Sequence, residues 1–338
     1  MLFHAVVSKS MNAGLRYFLL LVVLVFAGAS RAGIVGGQNF IYTSSGELES
    51  ADRLLHCKDI AGAQVVYNWK QLEPKEGQYD FSRIESDLAY LKALNKALFI
   101  QVQDRFFSPD ARNVPTYLLT DPVYGGGLVA QTDKPGEGRA PATGWVAQQW
   151  NPHVQQRYQA LLQALAAKFD GRIYGVNLPE TAIDIDMKHD RTGFSCDKYF
   201  QAEMANMKFA RGVFHQSLVV QYVNFWPCEW HNDRNYMGRL FEAAAQQGIG
   251  LGGPDIVPYR RGQMKNTYPF FAKYKGRLPL VAMAVQEPTL TYTNPKTAKP
   301  FTRAEFEAFG RNYLGAQIVF WSTSTPWLKA ESPDRVGP

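Results

Sequence analysis

Residues 63–103 read AQVVYNWKQLEPKEGQYDFSRIESDLAYLKALNKALFIQVQ. This stretch begins and ends with short apolar runs rich in Val, Ile and Phe, which is typical of buried β-strands. Between the two runs lies an apolar stripe with the three- or four-residue spacing of an α-helix. Its members are Ile84, Leu88, Leu91 and Leu94. Because a parallel strand pair needs a crossover connection, the stretch predicts a parallel β-α-β unit.

The same alternation of strand and helix continues along the chain. Apolar runs predict eight strands, at 37–43, 63–68, 97–103, 172–178, 217–223, 248–252, 279–285 and 316–321. Helical spacing predicts helices between them, at 48–60, 80–95, 152–169, 197–212, 233–247, 262–274 and 302–313. Eight such units fit a single closed (β/α)8 TIM barrel of the α/β class. A doubly wound open sheet is the alternative, but no Gly-x-Gly-x-x-Gly follows the first strand.

One long segment, residues 104–150, follows the third predicted strand and shows neither pattern. It is rich in proline and glycine. Loops of this length in a compact domain are usually functional or disordered. In a barrel this segment would overhang the C-terminal rim, where active sites are built, so we expect a lid or a substrate wall.

The N-terminal residues 1–32 have the order of a secretory signal peptide: basic residues, an apolar run, then small residues. The apolar run, 17–27, is shorter than the roughly 20 residues that span a bilayer. We therefore expect cleavage near residues 29–32 and an exported barrel at 33–338, with no membrane contact after cleavage. The expected location is secreted or periplasmic.

The charge of the chain depends on that signal segment. The sequence has 36 Lys and Arg against 30 Asp and Glu, a net charge of +6. Three of the basic residues, Lys9, Arg16 and Arg31, lie in the signal segment, so the mature chain carries only +3. The remaining charges form no strong cluster. A nucleic-acid partner is therefore not expected, and nothing in the sequence sets the oligomeric state.

The three cysteines are too few for a disulfide-rich scaffold and lack the spacing of a metal site. Cys196 follows the fourth predicted strand and Cys228 the fifth, so both fall in loops on one rim. Because export leads to an oxidising compartment, we expect a disulfide between them and a buried thiol at Cys57. The histidines form no His-x-His or His-Glu-x-x-His pattern, so we expect no metal and no other cofactor.

In a barrel, polar residues at the carboxyl ends of strands point to the active site. Two glutamates beside a proline stand out there, Glu180 after strand four and Glu287 after strand seven. These strands lie on opposing sides of the barrel, and glycosidic cleavage needs paired carboxylates that face each other across a pocket. Other residues at strand ends could bind the rings and hydroxyls of a carbohydrate substrate. They are Trp69, Gln103, Asn177, Asn224, Trp226, Tyr259 and Trp321.

Residues 67–81, YNWKQLEPKEGQYDF, resemble a segment of the clan of retaining glycoside hydrolases with (β/α)8 barrels. In that clan a Trp and a Glu-Pro follow strand two and precede a Gly-x-Tyr-x-Phe turn. The resemblance covers most of the predicted barrel. It implies that Glu180 is the acid/base and Glu287 the nucleophile. It also implies that Trp321 is the platform under the reacting sugar and that Tyr259 is a partner of the nucleophile.

One departure from the clan bears on the acid/base. The clan has an Asn immediately before this glutamate, where it holds the 2-hydroxyl of the sugar, whereas Pro179 stands here and the nearest Asn is Asn177. Residues 177 and 180 of a regular strand would face opposite sides, unless the proline bends the chain. Glu229, after strand five, is the alternative acid/base.

Two functions of different classes remain. The first is a secreted retaining glycoside hydrolase that cleaves an oligo- or polysaccharide with two glutamates. The second is a non-catalytic barrel that binds glycan, in which the glutamates only hydrogen-bond the sugar.

Overall fold

The structure, a computed structural model, describes residues 37–131, 144–286, 290 and 292–330. Within these residues eight parallel strands close into a barrel in which β8 pairs with β1. The strands are β1 (Gln38–Ser44), β2 (Ile60–Asn68), β3 (Ala97–Gln103), β4 (Gly175–Leu178), β5 (Leu218–Tyr222), β6 (Gly250–Gly253), β7 (Val281–Val285) and β8 (Ile318–Ser322). The predicted (β/α)8 barrel is confirmed, and the open sheet is wrong. The predicted signal peptide, 1–32, lies outside the described residues.

Helices follow the strands around the barrel. They are α1 (Asp52–Leu55), α2 (Trp69–Leu72), α3 (Ser82–Ala93), α4 (Thr116–Thr120), α5 (Pro152–Phe169), α6 (Cys196–Val213), α7 (Tyr236–Gln247), α8 (Arg261–Lys265), α9 (Tyr268–Lys273), α10 (Arg303–Glu307) and α11 (Pro326–Ala330). A π-helix, Ala308–Leu314, continues α10. In the described part of the chain, no helix has both the length and the apolar character of a membrane span.

The helix predictions succeed where the end signals are local. The bounds of α5 are those predicted, because the side chain of Asn151 accepts a hydrogen bond from the His153 amide and Pro152 presets the first turn. The prediction of a helix over 48–60 is largely wrong. A 3-10 turn at Glu49–Ala51 and the four residues of α1 take its place, and β2 already begins at Ile60.

Alternate residues of the strands form two separate apolar clusters. The cluster inside the barrel contains Phe40, Phe99, Val220, Tyr222, Leu280, Ala282, Ala284, Ile318 and Phe320. The intervening residues, such as Ile41, Val219 and Trp321, belong to the cluster that also includes the buried faces of the helices. Because successive side chains of a strand point to opposite faces, sequence parity decides which residues face the barrel interior.

The segment after β3 is more regular than predicted. Three short antiparallel strands, Arg105–Phe106, Leu128–Gln131 and Gly144–Ala147, form a separate sheet with the last one in the middle. Residues 132–143 of this segment lie outside the described residues. Because the first short strand begins two residues after β3 ends, the small sheet adjoins the carboxyl end of the barrel.

A buried carboxylate holds the segment at residues 67–81. Glu73 has no exposed surface and accepts hydrogen bonds from the indole N–H of Trp69 at 2.8 Å and the amide of Gly77 at 2.9 Å. Its carboxylate also pairs with Arg157 of α5. Gly77 has a φ of +68°, a conformation that favours glycine. The ion pair between Glu73 and Arg157 therefore holds the connection between β2 and α3 against α5.

The variant Glu73→Gln removes the charge that compensates Arg157 in a largely buried site. We expect the free energy of unfolding to fall by about 3 kcal/mol, because breaking a buried ion pair leaves an uncompensated charge. The control Glu76→Gln alters a half-exposed carboxylate 4.0 Å from the same Arg157 and should cost less than about 1 kcal/mol. Urea denaturation followed by circular dichroism measures both. Equal losses in the two variants would contradict the role given to Glu73.

Candidate active site

Polar side chains extend the inward-facing rows of the strands at the carboxyl end of the barrel. They are Tyr42, Gln101, Gln103, Asn177 and Asn224. Four of them follow an apolar interior residue by two or four positions along the chain, and Asn177 is paired in register with Gln101. The amide of Gln101 donates to Gln103 at 3.2 Å. Burial, and then the charge of Asp255, raise the pKa of Tyr42 to about 12. Tyr42 is therefore a neutral hydroxyl at the barrel mouth at physiological pH.

Glu180 lies two residues beyond the end of β4 and is half-buried. Its carboxylate accepts a hydrogen bond from the side-chain amide of Asn224, with 3.2 Å between Nδ2 and Oε2. Asn224 continues the inward row of Val220 and Tyr222 in the neighbouring strand β5, so this contact draws the carboxylate toward the barrel mouth. Pro179 ends the regular strand, so the alternation that would send Glu180 outward no longer applies.

A buried ion cluster lies directly beneath this turn. The Arg105 guanidinium, 2% exposed, pairs with Asp104 at 2.7 Å and with Glu203 of α6 at 3.0 Å. Burial raises the pKa of Glu203; Arg105 opposes this rise and the charge of Asp104 adds to it. Since an arginine keeps its charge in proteins, the cluster contains a permanent buried cation between two carboxyl groups.

This cluster fixes the backbone of the Glu180 turn. Arg105 donates to the carbonyl of Glu180 at 2.8 Å and to the hydroxyl of Tyr199 at 2.8 Å. The Tyr199 hydroxyl in turn donates to the carbonyl of Thr181 at 3.0 Å. The hydroxyl of Thr181 accepts a hydrogen bond from the backbone amide of Asn224 at 3.2 Å, which links the end of β4 to the end of β5. The backbone and the side chain of Glu180 are thus both held.

The alternative acid/base, Glu229, has a structural role. It is buried, and its two carboxylate oxygens accept hydrogen bonds from the amides of Tyr236 at 2.5 Å and Met237 at 2.9 Å, at the start of α7. Burial raises the pKa of Glu229, and these amides oppose the rise. Both oxygens are engaged with a helix N-terminus, so the structure does not support Glu229 as the acid/base.

Three of the tryptophans expected to bind sugar are core residues. Trp69 and Trp321 are fully buried and Trp226 nearly so. The indole N–H of Trp321 donates to Asn39 at 3.0 Å. Phe320 faces the barrel interior, so strand alternation turns Trp321 toward the helices. In the structure Trp69 and Trp321 therefore have no exposed ring face, whereas Trp226 borders an apolar cavity between the loops that follow β4 and β5.

The other predicted residues divide by exposure. Asn177 is fully buried and donates to the carbonyl of Leu178 at 2.9 Å, so in the structure its side chain has no exposed surface. Gln103, at the end of β3, and Asn224, beyond the end of β5, are half-buried, and their strands flank β4 on either side. Tyr259 is exposed, with the ammonium of Lys296 lying 3.9 Å from its ring centroid. Glu287 lies outside the described residues.

Cys196 and Cys228 form a disulfide, with 6.1 Å between their Cα atoms. The bond joins the first residue of α6 to the loop between β5 and α7. Cys57 is buried, and its thiol lies 3.9 Å from the carbonyl of Arg53. Among the residues that the structure describes, no three His, Cys, Asp or Glu side chains are grouped as metal ligands.

Sequence reasoning missed the partners of Arg105. Tyr199 and Glu203 lie at positions i and i+4 of α6, inside its buried stripe. A carboxylate in the apolar stripe of a helix needs a buried positive partner, since an unpaired buried charge is costly. That pattern was the available signal for a buried arginine.

No family model matches the chain, and no curated protein is similar to it. Among solved structures the chain is similar to the catalytic domain of a β-amylase from Paenibacillus polymyxa, with 12% identity, 85% of each chain covered and a TM-score of 0.43. It is similar to a xylanase from Paenibacillus barcinonensis, with 13% identity, 84% of each chain and a TM-score of 0.46. A psychrophilic glycoside hydrolase family 10 endo-β-1,4-xylanase gives 9% identity, 84% of this chain, 85% of the other and a TM-score of 0.48. These values are too low to assign a function.

The variant Arg105→Lys keeps the charge of the cluster and removes the planar fork. We expect the free energy of unfolding to fall by about 3 kcal/mol, because one ammonium cannot satisfy two carboxylates, a hydroxyl and a carbonyl from the same position. The matched control, Arg172→Lys, alters a partly exposed pair with Glu85 and should cost less than about 1 kcal/mol. Urea denaturation of both variants measures the difference, and an unchanged midpoint for Arg105→Lys would contradict the cluster's role.

Proposed function

We propose that the protein is a retaining glycoside hydrolase that cleaves O-glycosidic bonds of an oligo- or polysaccharide. Glu180 is the acid/base and Glu287 the nucleophile. The observation that carries the proposal is the placement of Glu180 at the carboxyl end of β4, with Asn224 on its carboxylate and Arg105 on its carbonyl. Active sites of (β/α)8 barrels lie at this end. In the sequence, Glu287 follows the last residue of β7 by two positions.

The reaction proceeds in two displacements at the anomeric carbon. Protonated Glu180 gives its proton to the glycosidic oxygen while the Glu287 carboxylate attacks the carbon, so the bond to the leaving group breaks and a glycosyl ester forms. The Glu180 carboxylate then takes a proton from water, whose oxygen attacks the same carbon and releases Glu287. The side-chain amide of Asn224 orients the Glu180 carboxylate for both proton transfers.

The buried ion cluster supports this role because proton transfer depends on position. A catalytic side chain must be held within about 0.5 Å of its productive geometry by a rigid surrounding shell. Arg105 and Tyr199 provide that shell for the Glu180–Thr181 backbone. A surface glutamate on a mobile loop would have no comparable restraint.

We also propose that the protein acts outside the cytoplasm, as a secreted or periplasmic enzyme with a carbohydrate substrate. The apolar run at residues 17–27 and its basic flank support export. The Cys196–Cys228 disulfide supports it independently, because such bonds persist in oxidising compartments.

A non-catalytic glycan-binding barrel is the second candidate. Pro179 stands where the clan of retaining hydrolases has an Asn that binds the 2-hydroxyl of the sugar. In this alternative, Glu180 and Asn224 hydrogen-bond a bound sugar without transferring a proton.

Hydrolysis assays on a panel of aryl glycosides and polysaccharides test the proposal. Glu180→Gln should lower kcat by about 10²- to 10⁴-fold, most strongly for poor leaving groups, because these depend on the general acid. Glu287→Gln should abolish hydrolysis, and Glu242→Gln, a control on the exposed side of α7, should not change it.

Two results would contradict the proposal. Unchanged hydrolysis in Glu180→Gln or Glu287→Gln would reject the assignment of the two glutamates. Binding of a polysaccharide by the wild type, without hydrolysis of any substrate, would favour the glycan-binding barrel.

A further inference from the structure

An apolar cavity of about 460 Å³ lies between the loops that follow β4 and β5. Its walls come from residues 183–185, from Met187, from residues 225–230 and from Phe194. Most of the lining is hydrocarbon, aromatic ring or sulfur, contributed by Ile183, Ile185, Met187, Phe194, Phe225 and Trp230. A volume of this size is in the range of small-molecule sites, which lie between about 300 and 1,000 Å³.

The cavity adjoins the residues that hold Glu180. Phe225 directly follows Asn224, and its carbonyl accepts a hydrogen bond at 3.0 Å from the hydroxyl of Thr181, the residue after Glu180. Strands β4 and β5 are neighbours, whereas β7 is two strands from β5 and three from β4. The cavity is therefore on the acid/base side of the mouth. The general acid protonates the oxygen of the leaving group, so the leaving group lies on this side.

The walls suit a flat aromatic ring. Phe225 and Trp230 stack with 6.0 Å between ring centroids and 17° between their planes. Trp230 lines the cavity, also stacks on His231 with 5.5 Å between ring centroids, and is 50% exposed. Met187 and the disulfide at Cys228 add polarisable sulfur, which packs favourably against aromatic rings. Asp184 and Glu229 also line the cavity, and the carboxylate oxygens of Glu229 accept hydrogen bonds from the amides of α7.

The loop that forms one wall of the cavity is held in a fixed shape by its own contacts. Four non-glycine residues of the loop between β5 and α7 have positive φ angles: Cys228, His231, Asn232 and Asn235. Such conformations persist only where the surroundings fix them. Here the disulfide holds Cys228, and the amide of His231 donates to Asn266 at 2.7 Å. A preformed cavity loses little conformational entropy when a ligand enters.

We infer that this cavity binds a flat aromatic aglycone, so that the preferred substrates are glycosides with a phenolic leaving group. The inference rests on the proposed function, which supplies the acid/base side, and narrows its substrate class. A sugar in the same place would need partners for its hydroxyls, and the apolar walls offer few.

Isothermal titration calorimetry with 2-naphthol, a flat phenol without a sugar, tests the cavity directly. The wild type should bind it, and Trp230→Ala should bind about five- to tenfold more weakly, because a stacking contact is lost. Phe106→Ala removes an aromatic ring that is equally exposed, at 50%, and does not line the cavity, so its affinity should equal that of the wild type. Absence of binding to the wild type, or unchanged affinity in Trp230→Ala, would overturn the inference.

Kinetics with 2-naphthyl and methyl glycosides of one sugar separate this inference from the proposed function. Trp230→Ala should raise KM for the naphthyl glycoside about five- to tenfold and leave that for the methyl glycoside unchanged. Hydrolysis of both substrates with equal effects of the substitution would overturn the aglycone site and leave the proposed function standing. Absence of hydrolysis of every glycoside in the panel by the wild type, with 2-naphthol still bound, would reject the proposed function and with it the aglycone assignment.

Discussion

The geometry at the barrel mouth depends on one buried guanidinium. Arg105 lies just beyond β3, pairs with Asp104 and with Glu203 of α6, and donates to Tyr199 and to the carbonyl of Glu180. Removing one partner from a buried charge costs several kcal/mol, so these groups take up their positions together. The turn that carries Glu180 is thereby coupled to the folding of the barrel, and a residue proposed for chemistry is held by groups that contribute to stability.

The parts of this fold that could be predicted are those with local causes. The bounds of β3 and α5 follow from an apolar run and from an Asn-Pro cap, and both agree with the sequence prediction. The Cys196–Cys228 pair was predictable from topology, because both residues follow neighbouring strands and therefore meet at one rim. In each case the residues that make the contact are close in sequence or follow neighbouring strands.

The predictions from sequence failed where a shift of one residue in a strand reverses the direction of a side chain, or where the partner of a residue lies far away in the chain. Trp321 and Phe320 are adjacent, and only the parity of β8 places the phenylalanine in the barrel and the tryptophan under the helices. Arg105 and Glu203 are 98 residues apart, so neither residue marks the other in the sequence. The segment after β3 looked irregular because its three strands are short and pair across long separations. A pattern along the chain can indicate that a buried partner exists, as Glu203 does in the apolar stripe of α6, but it does not identify that partner.

The central claim is that Glu180 and Glu287 act on one sugar in a retaining mechanism. A crystal structure that measures the separation of their carboxyl groups tests it most directly. Retention requires a separation of about 5–5.5 Å, which is the predicted result. A separation of about 6.5–9.5 Å would indicate inversion, and a larger one would show that the two glutamates do not share a site; either result would contradict the claim.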